Sequence, residues 1–261
     1  MTEYRETFET IAGCRTRIMR AGKGRPLMFL HGARGASAFA PFMAKLAESF
    51  ELFVPEHPGF GGSDTPEWLD GISDLAYFYA DMFDHFGLRD LHLVGTSLGG
   101  WLAAEIAVRN CGPLASLSLV APAGLRVPGL RKTDIFMLSA EQTVRHLFHD
   151  QKLVEAALAH TPSEAEMDVE LKNRLIMAKL AWEPRLYNPH LHKWLHRIST
   201  PTLVLWGAQD RIIPAGYGEE FQRLIPGARL EVIDQCGHLP HMEQAEAFTT
   251  SITNFIREAA P

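Results

Sequence analysis

Short apolar runs, each closed by Gly, Pro or a polar turn, alternate along this chain with longer stretches in which apolar residues return every three or four positions. That alternation is the pattern of βαβ units on a mostly parallel sheet. The runs Leu27-Met28-Phe29-Leu30, Leu52-Phe53-Val54, Leu91-His92-Leu93-Val94, Leu117-Ser118-Leu119-Val120, Leu203-Val204-Leu205-Trp206 and Leu230-Glu231-Val232-Ile233 are the expected strands. Several are apolar at every position, as strands covered on both faces are. Residues 15–19 are expected as an early antiparallel edge strand, because a tight link cannot make a parallel crossover.

Ser73 is expected to cap a helix whose Leu75, Tyr79, Met82 and Phe86 share one face, and Phe248, Ile252 and Phe255 mark a core-facing helix near the C-terminus. Between about 122 and 196 the rhythm breaks: helix-like segments such as 140–148 and 166–181 appear, with no strand. An inserted helical cap accounts for this. The expected division is a first core part over 1–121, a cap over 122–196 and a second core part over 197–261. The insertion begins where a strand ends at Val120, and open α/β sheets bind ligands at the carboxyl ends of their strands.

Composition narrows the picture. At 261 residues, 46% hydrophobic and 21% charged, the chain is large enough for one α/β domain carrying an insertion. A net charge of -6 without any Lys or Arg run gives no reason to expect nucleic acid or an anionic membrane, so the expected partner is a small-molecule substrate. A homodimer is compatible with these features. Residues 1–10 carry Glu3, Glu6 and Glu9 and do not resemble a secretory signal, and no segment nears the roughly 20 apolar residues of a membrane span. A cytoplasmic protein is expected. Cys14, Cys111 and Cys236 are an odd set without metal or redox spacing, which fits a reducing compartment. Cys236 reads as a small apolar filler.

The chemistry enters at Gly95-Thr96-Ser97-Leu98-Gly99-Gly100, which follows an apolar run and precedes a helix-forming stretch over 101–108. Strand, tight turn and helix is the context of a nucleophile elbow, where Gly95 and Gly99 leave room for neighbouring backbone and the serine hydroxyl is exposed on a strained turn. A plain Gly-rich turn is the alternative, and a phosphate loop lacks both of its glycine fingerprints. A serine hydroxyl is a weak nucleophile at neutral pH and needs a base and an orienting carboxylate. His238, just beyond the run ending at Ile233, is the expected base. Asp210, just beyond the run ending at Trp206, is the expected acid, and His241 reads as the start of the last helix. No His-Glu-x-x-His or Cys-x-x-Cys cluster occurs, so neither metal nor cofactor is expected.

His31-Gly32, Pro58-Gly59-Phe60-Gly61-Gly62-Ser63-Asp64, the elbow at Ser97, Gly207-Ala208-Gln209-Asp210 and Gly237-His238 follow one another in an order that resembles the α/β-hydrolase superfamily. The resemblance implies that fold, the chain order serine, acid, histidine, and an oxyanion hole from the backbone NH groups of Ala33 and Leu98. A serine at the elbow argues against haloalkane dehalogenases and epoxide hydrolases, which use aspartate there. Capped carboxylesterases and the carbon-carbon bond hydrolases of aromatic ring cleavage are the most similar groups. The latter typically carry asparagine before the nucleophile and tryptophan after the histidine, where this chain has Thr96 and Leu239. An ester, lactone or related acyl substrate is therefore the first expectation. A ring-cleavage product, a perhydrolase reaction and a non-catalytic ligand receptor are the alternatives. In the cap, Phe136, Met137, Phe148, Trp182, Tyr187 and Trp194 are candidates to line an apolar pocket, and Arg34 and Leu239 are further substrate-binding candidates.

Overall fold

The computed structural model describes residues 3–259 and contains one eight-stranded sheet. In chain order the strands are β1 (Tyr4–Ile11), β2 (Cys14–Ala21), β3 (Arg25–Leu30), β4 (Phe50–Pro55), β5 (Leu91–Thr96), β6 (Leu114–Val120), β7 (Thr202–Gly207) and β8 (Arg229–Ile233). They lie in the order β1-β2-β4-β3-β5-β6-β7-β8. β1 and β2 form an antiparallel hairpin, β2 pairs antiparallel with β4, and every pairing from β4 to β8 is parallel.

Alternate residues of the central strands feed two separate cores. Met28, Leu30, Leu93, Leu119 and Trp206 face α2 (Ile72–His85), α3 (Leu98–Arg109) and α8 (Gly216–Leu224). Leu27, Phe29, Val94, Val120 and Leu205 face α1 (Pro41–Ala47) and α10 (Ala245–Ala259). Burial on both sides explains why these strands are continuous apolar runs.

Between β6 and β7 lie α4 (Ala140–Leu147), α5 (Gln151–Ala159), α6 (Glu164–Ala181) and α7 (Leu191–Trp194), with no named strand among the described residues. The two ends of this stretch meet: Gly124 and Tyr187 form an isolated bridge, and Lys132 Nζ donates to the carbonyls of Leu125 and Leu186 at 2.8 and 2.7 Å. Burial, then nearby Arg126, pushes the Lys132 ammonium down to about 8.

Several expectations need correcting. Residues 15–19 lie in an antiparallel strand, but β2 is internal, and the edge is β1, whose alternating polar residues are half-solvated. Ala12 and Gly13, with φ of 47° and 73°, make the left-handed turn that joins the two. Ser73 does not cap α2. Gly71 does, with the Asp74 carboxylate accepting from the Asp70 and Gly71 amides, while the Ser73 hydroxyl accepts from Arg109. Phe86 is the residue that ends α2 rather than a member of its buried face. His241 lies in a separate short helix, α9 (Pro240–Glu243), packed among Phe29, Phe42 and Phe248.

Candidate active site

Four parallel strands deliver the candidate residues to one edge of the sheet. β5 ends at Thr96 and Ser97 follows; β7 leads to Asp210, β8 to His238, and β3 to His31-Gly32-Ala33. Loops at the carboxyl ends of neighbouring parallel strands converge by construction.

Ser97 stands between β5 and α3 with φ 53° and ψ -110°, a backbone state costly for any residue with a Cβ. The glycines around it hold the turn in place. A Cβ on Gly95 would strike the Gly99 carbonyl, and one on Gly99 would strike the carbonyls of Leu30 and His31. A Cβ on Gly100 would lie 2.9 Å from Pro122. The elbow is thus pressed directly onto the end of β3.

His238 and Asp210 are buried, and they complete a single line with the serine. His238 Nε2 is 2.9 Å from Ser97 Oγ, and His238 Nδ1 is 2.7 Å from Asp210 Oδ2. A carboxylate only accepts, so Nδ1 carries the proton and Nε2 presents its lone pair to the serine hydroxyl. The other carboxylate oxygen accepts from the amides of Ile212 and Ile213 at 2.8 and 2.9 Å, which fixes the carboxylate plane.

The turn bearing His238 is held from two sides. Its own amide donates to the Leu147 carbonyl at the end of α4 (2.8 Å). The Glu243 carboxylate accepts from the Gly237, His149 and Asp150 amides. Gln209, beside Asp210 in the chain, accepts from the Cys236 amide and donates to Asp234. Cys236 is buried, and burial, then Glu243, pushes its thiol up to about 12, in keeping with an inert filler.

Gly32 lies against Ser97, since a Cβ there would be 3.5 Å from the Ser97 Cβ. Among the described residues, no acceptor takes the amides of Ala33 or Leu98. Beneath this loop lies a buried network that sequence reasoning missed. The His57 amide donates to His31 Nε2 (3.0 Å), so His31 Nδ1 donates to the Gly32 carbonyl (2.7 Å). His57 Nε2 donates to the His31 carbonyl (3.0 Å) and its Nδ1 accepts from the Tyr79 hydroxyl (2.6 Å). Both rings are thereby fixed as neutral tautomers. Burial pushes His31 down to about 4, and burial followed by His31 holds His57 well below the ordinary histidine value.

α6 reaches the same loop. Asn173, 3% exposed, donates through its amide nitrogen to the Arg34 carbonyl and accepts from the Gly61 amide, both at 2.9 Å. Lys172 donates to the carbonyls of Gly61 and Ser63 at 2.7 Å.

The other candidates fare differently. Leu239 follows His238 and is half-buried, and Phe148 is buried beside Leu147. The Arg34 side chain is exposed without an ion pair among the described residues. Phe136 packs edge-on to Trp182, whose other partner is the Arg185 guanidinium 4.0 Å from its ring. Met137, Trp182 and Trp194 face solvent rather than an enclosed pocket, and half-buried Tyr187 belongs to the junction with Gly124. No group of three or more His, Cys, Asp or Glu among the described residues is arranged to hold a metal ion. No helix of the described residues is long and apolar enough to cross a membrane.

The model of the alpha/beta hydrolase family matches residues 27–250, a span that includes Ala33, Ser97, Asp210 and His238. The chain belongs to the alpha/beta hydrolase family. This hydrolase is 30% identical to the 2-hydroxymuconate semialdehyde hydrolase of Pseudomonas putida over 95% of its own length and 92% of that protein. It is also 30% identical to the poly(3-hydroxyalkanoate) depolymerase of Ectopseudomonas oleovorans, covering 92% of this chain and 88% of that one. Among solved structures it resembles the 2-hydroxy-6-oxo-6-phenylhexa-2,4-dienoate hydrolase of Rhodococcus sp. strain RHA1, with TM-score 0.79 and 22% identity over 98% of this chain and 100% of that one. The α/β-hydrolase fold expected from the ordered motifs is the fold of this enzyme.

Proposed function

We propose that this enzyme hydrolyses a small ester or related acyl substrate, with Ser97 as nucleophile, His238 as general base and Asp210 as the group that orients the imidazole. The observation that carries the reading is the continuous line from Asp210 Oδ2 through His238 to Ser97 Oγ, at 2.7 and 2.9 Å. As Ser97 Oγ attacks the acyl carbon, its proton passes to His238 Nε2 and the carbonyl electron pair moves onto oxygen. The free amides of Ala33 and Leu98 face that developing charge, and one such donor contributes about 3 kcal/mol of transition-state stabilisation. Collapse expels the alcohol, protonated by His238, and leaves an acyl-serine. Water, deprotonated by the same imidazole, then releases the acid.

Residues 122–196 serve as a cap in this reading. Its helices tether the loops of both His238 and Ala33, through Leu147 and Asn173. Thr96 and Leu239 at the positions flanking the nucleophile and base favour acyl substrates over ring-cleavage products.

A second reading, hydrolysis of a carbon-carbon bond in an aromatic ring-cleavage product, is favoured by the name of the Pseudomonas putida relative. One experiment separates the two. Purified protein is assayed with p-nitrophenyl acetate and butyrate and, in parallel, with a ring-cleavage dienoate, while a fluorophosphonate probe reports on Ser97. The ester reading expects an acylation burst with the esters, labelling that disappears in Ser97→Ala, and slower dienoate turnover. Faster cleavage of the dienoate overturns it in favour of the second reading, and wild-type turnover by Ser97→Ala removes the nucleophile from both.

A further inference from the structure

α6 is apolar on two opposite faces. One face holds Asn173, Ile176, Met177 and Leu180, all buried. At about 100° of turn per residue, Met167, Leu171, Leu175 and, just past the helix, Trp182 fall on the other face, where they are 49%, 58%, 62% and 49% exposed. Helices with apolar residues all round belong inside a core, and a contiguous exposed stripe marks an interaction surface.

The charges bordering this stripe say what covers it. Asp168 and Lys179 flank it on one side, Glu170 and Arg174 on the other, and all four are exposed. Asp168, Glu170 and Arg174 form no ion pair or side-chain hydrogen bond among the described residues, and Lys179 has one pair, 3.3 Å from exposed Asp70. A second α6 laid antiparallel across the stripe, with Leu171 opposite Leu175, brings Asp168 opposite Lys179 and Glu170 opposite Arg174. Each pairing then occurs twice about a twofold axis. A pattern that complements its own reverse is what an isologous interface requires, whereas a lipid surface or an unrelated protein would leave it without purpose.

We propose that the enzyme forms a twofold homodimer by antiparallel packing of α6 against α6 of a second copy. The apolar stripe supplies the centre of the interface and the four charges set its direction and register. The dimer also backs the helix whose inner face carries Asn173, so it steadies the loop of Ala33 from outside.

The test is sedimentation velocity on the full chain at rising concentration. The wild type sediments as a dimer at about 100 µM and dissociates on dilution. Leu171→Glu is monomeric with an unchanged near-ultraviolet circular dichroism spectrum. Asp168→Lys alone sets lysine opposite lysine twice, and Lys179→Asp sets aspartate opposite aspartate twice, so each variant dimerises at least about tenfold more weakly. An equimolar mixture of these two variants recovers association, because both pairings become complementary across the heterodimer. A wild type that stays monomeric throughout overturns the proposal. A dimer indifferent to Leu171→Glu, or a mixture no tighter than its components, does the same.

Discussion

The side-chain amide of Asn173 donates to the carbonyl of Arg34 at 2.9 Å, so a helix inserted between β6 and β7 grips the loop that presents the Ala33 amide. The same side chain accepts from Gly61, tying a second loop to the first. Replacement by aspartate keeps the acceptor for Gly61 and places an oxygen against the Arg34 carbonyl. Asn173→Asp is expected to lower kcat/KM by about 10- to 100-fold while KM stays within about twofold. A boronic acid that mimics the tetrahedral intermediate should lose affinity by the same factor. Unchanged boronate binding would remove Asn173 from any part in the oxyanion hole proposed at Ala33.

The line through His238 depends on Asp210 only as an acceptor of the Nδ1 proton. Asp210→Asn presents a donor to that nitrogen in one amide orientation and favours the wrong tautomer. A fall in kcat of about 10⁴-fold is expected, smaller than the loss of about 10⁶-fold in Ser97→Ala, and the double variant should be little worse than Ser97→Ala alone. Steady-state kinetics with a p-nitrophenyl ester measures all three.

The elbow rests on backbone contacts rather than side chains. Gly99→Ala puts a methyl into the Leu30 and His31 carbonyls, and a loss of about 3 kcal/mol or more is expected, read as a drop in Tm of about 10 °C. Gly71→Ala, at an extended position where a Cβ meets nothing within 4 Å, is the control and should stay within about 1 kcal/mol.

His31, His57 and His241 are buried neutral, with folded-state values pushed down to about 4, well down and down to about 3, each chiefly by burial. Because the unfolded chain binds these protons first, their contribution is complete above about pH 6.5. Stability therefore falls as pH drops from about 6.5 toward the folded values. Tm at about pH 4.5 should lie several degrees below Tm at about pH 7.5, and His241→Gln should flatten that slope. A Tm independent of pH across this window would contradict the buried neutral assignment.

Much of this was legible in the sequence for a simple reason: Ser97, Asp210 and His238 each sit a few residues past a short, mostly apolar run bounded by a turn, so the strands announce where the side chains emerge. β1 was not legible because a half-solvated edge strand alternates polar with polar, and Tyr4, Phe8 and Ile11 are too sparse to mark a face. Asn173 was hidden by its helix, whose two apolar faces blur any periodicity that would single out an inward polar residue. The pairing of His31 with His57 joins residues 26 positions apart and follows only from the parallel neighbours β3 and β4. The apolar candidates Met137, Trp182 and Trp194 share one failing: composition shows that a side chain is apolar but not which way it turns.

Lys132 gathers the carbonyls of Leu125 and Leu186 under one ammonium, and beside it the Gly124 amide donates to the Leu186 carbonyl while the Gly124 carbonyl accepts from the Asn188 amide. Both ends of the helical stretch thus leave the sheet through one narrow clasp. The stretch is, in engineering terms, a cassette: a chimera that retains residues 122–132 and 185–188 and replaces what lies between would inherit an intact junction, free to bring a different roof to the same hydroxyl.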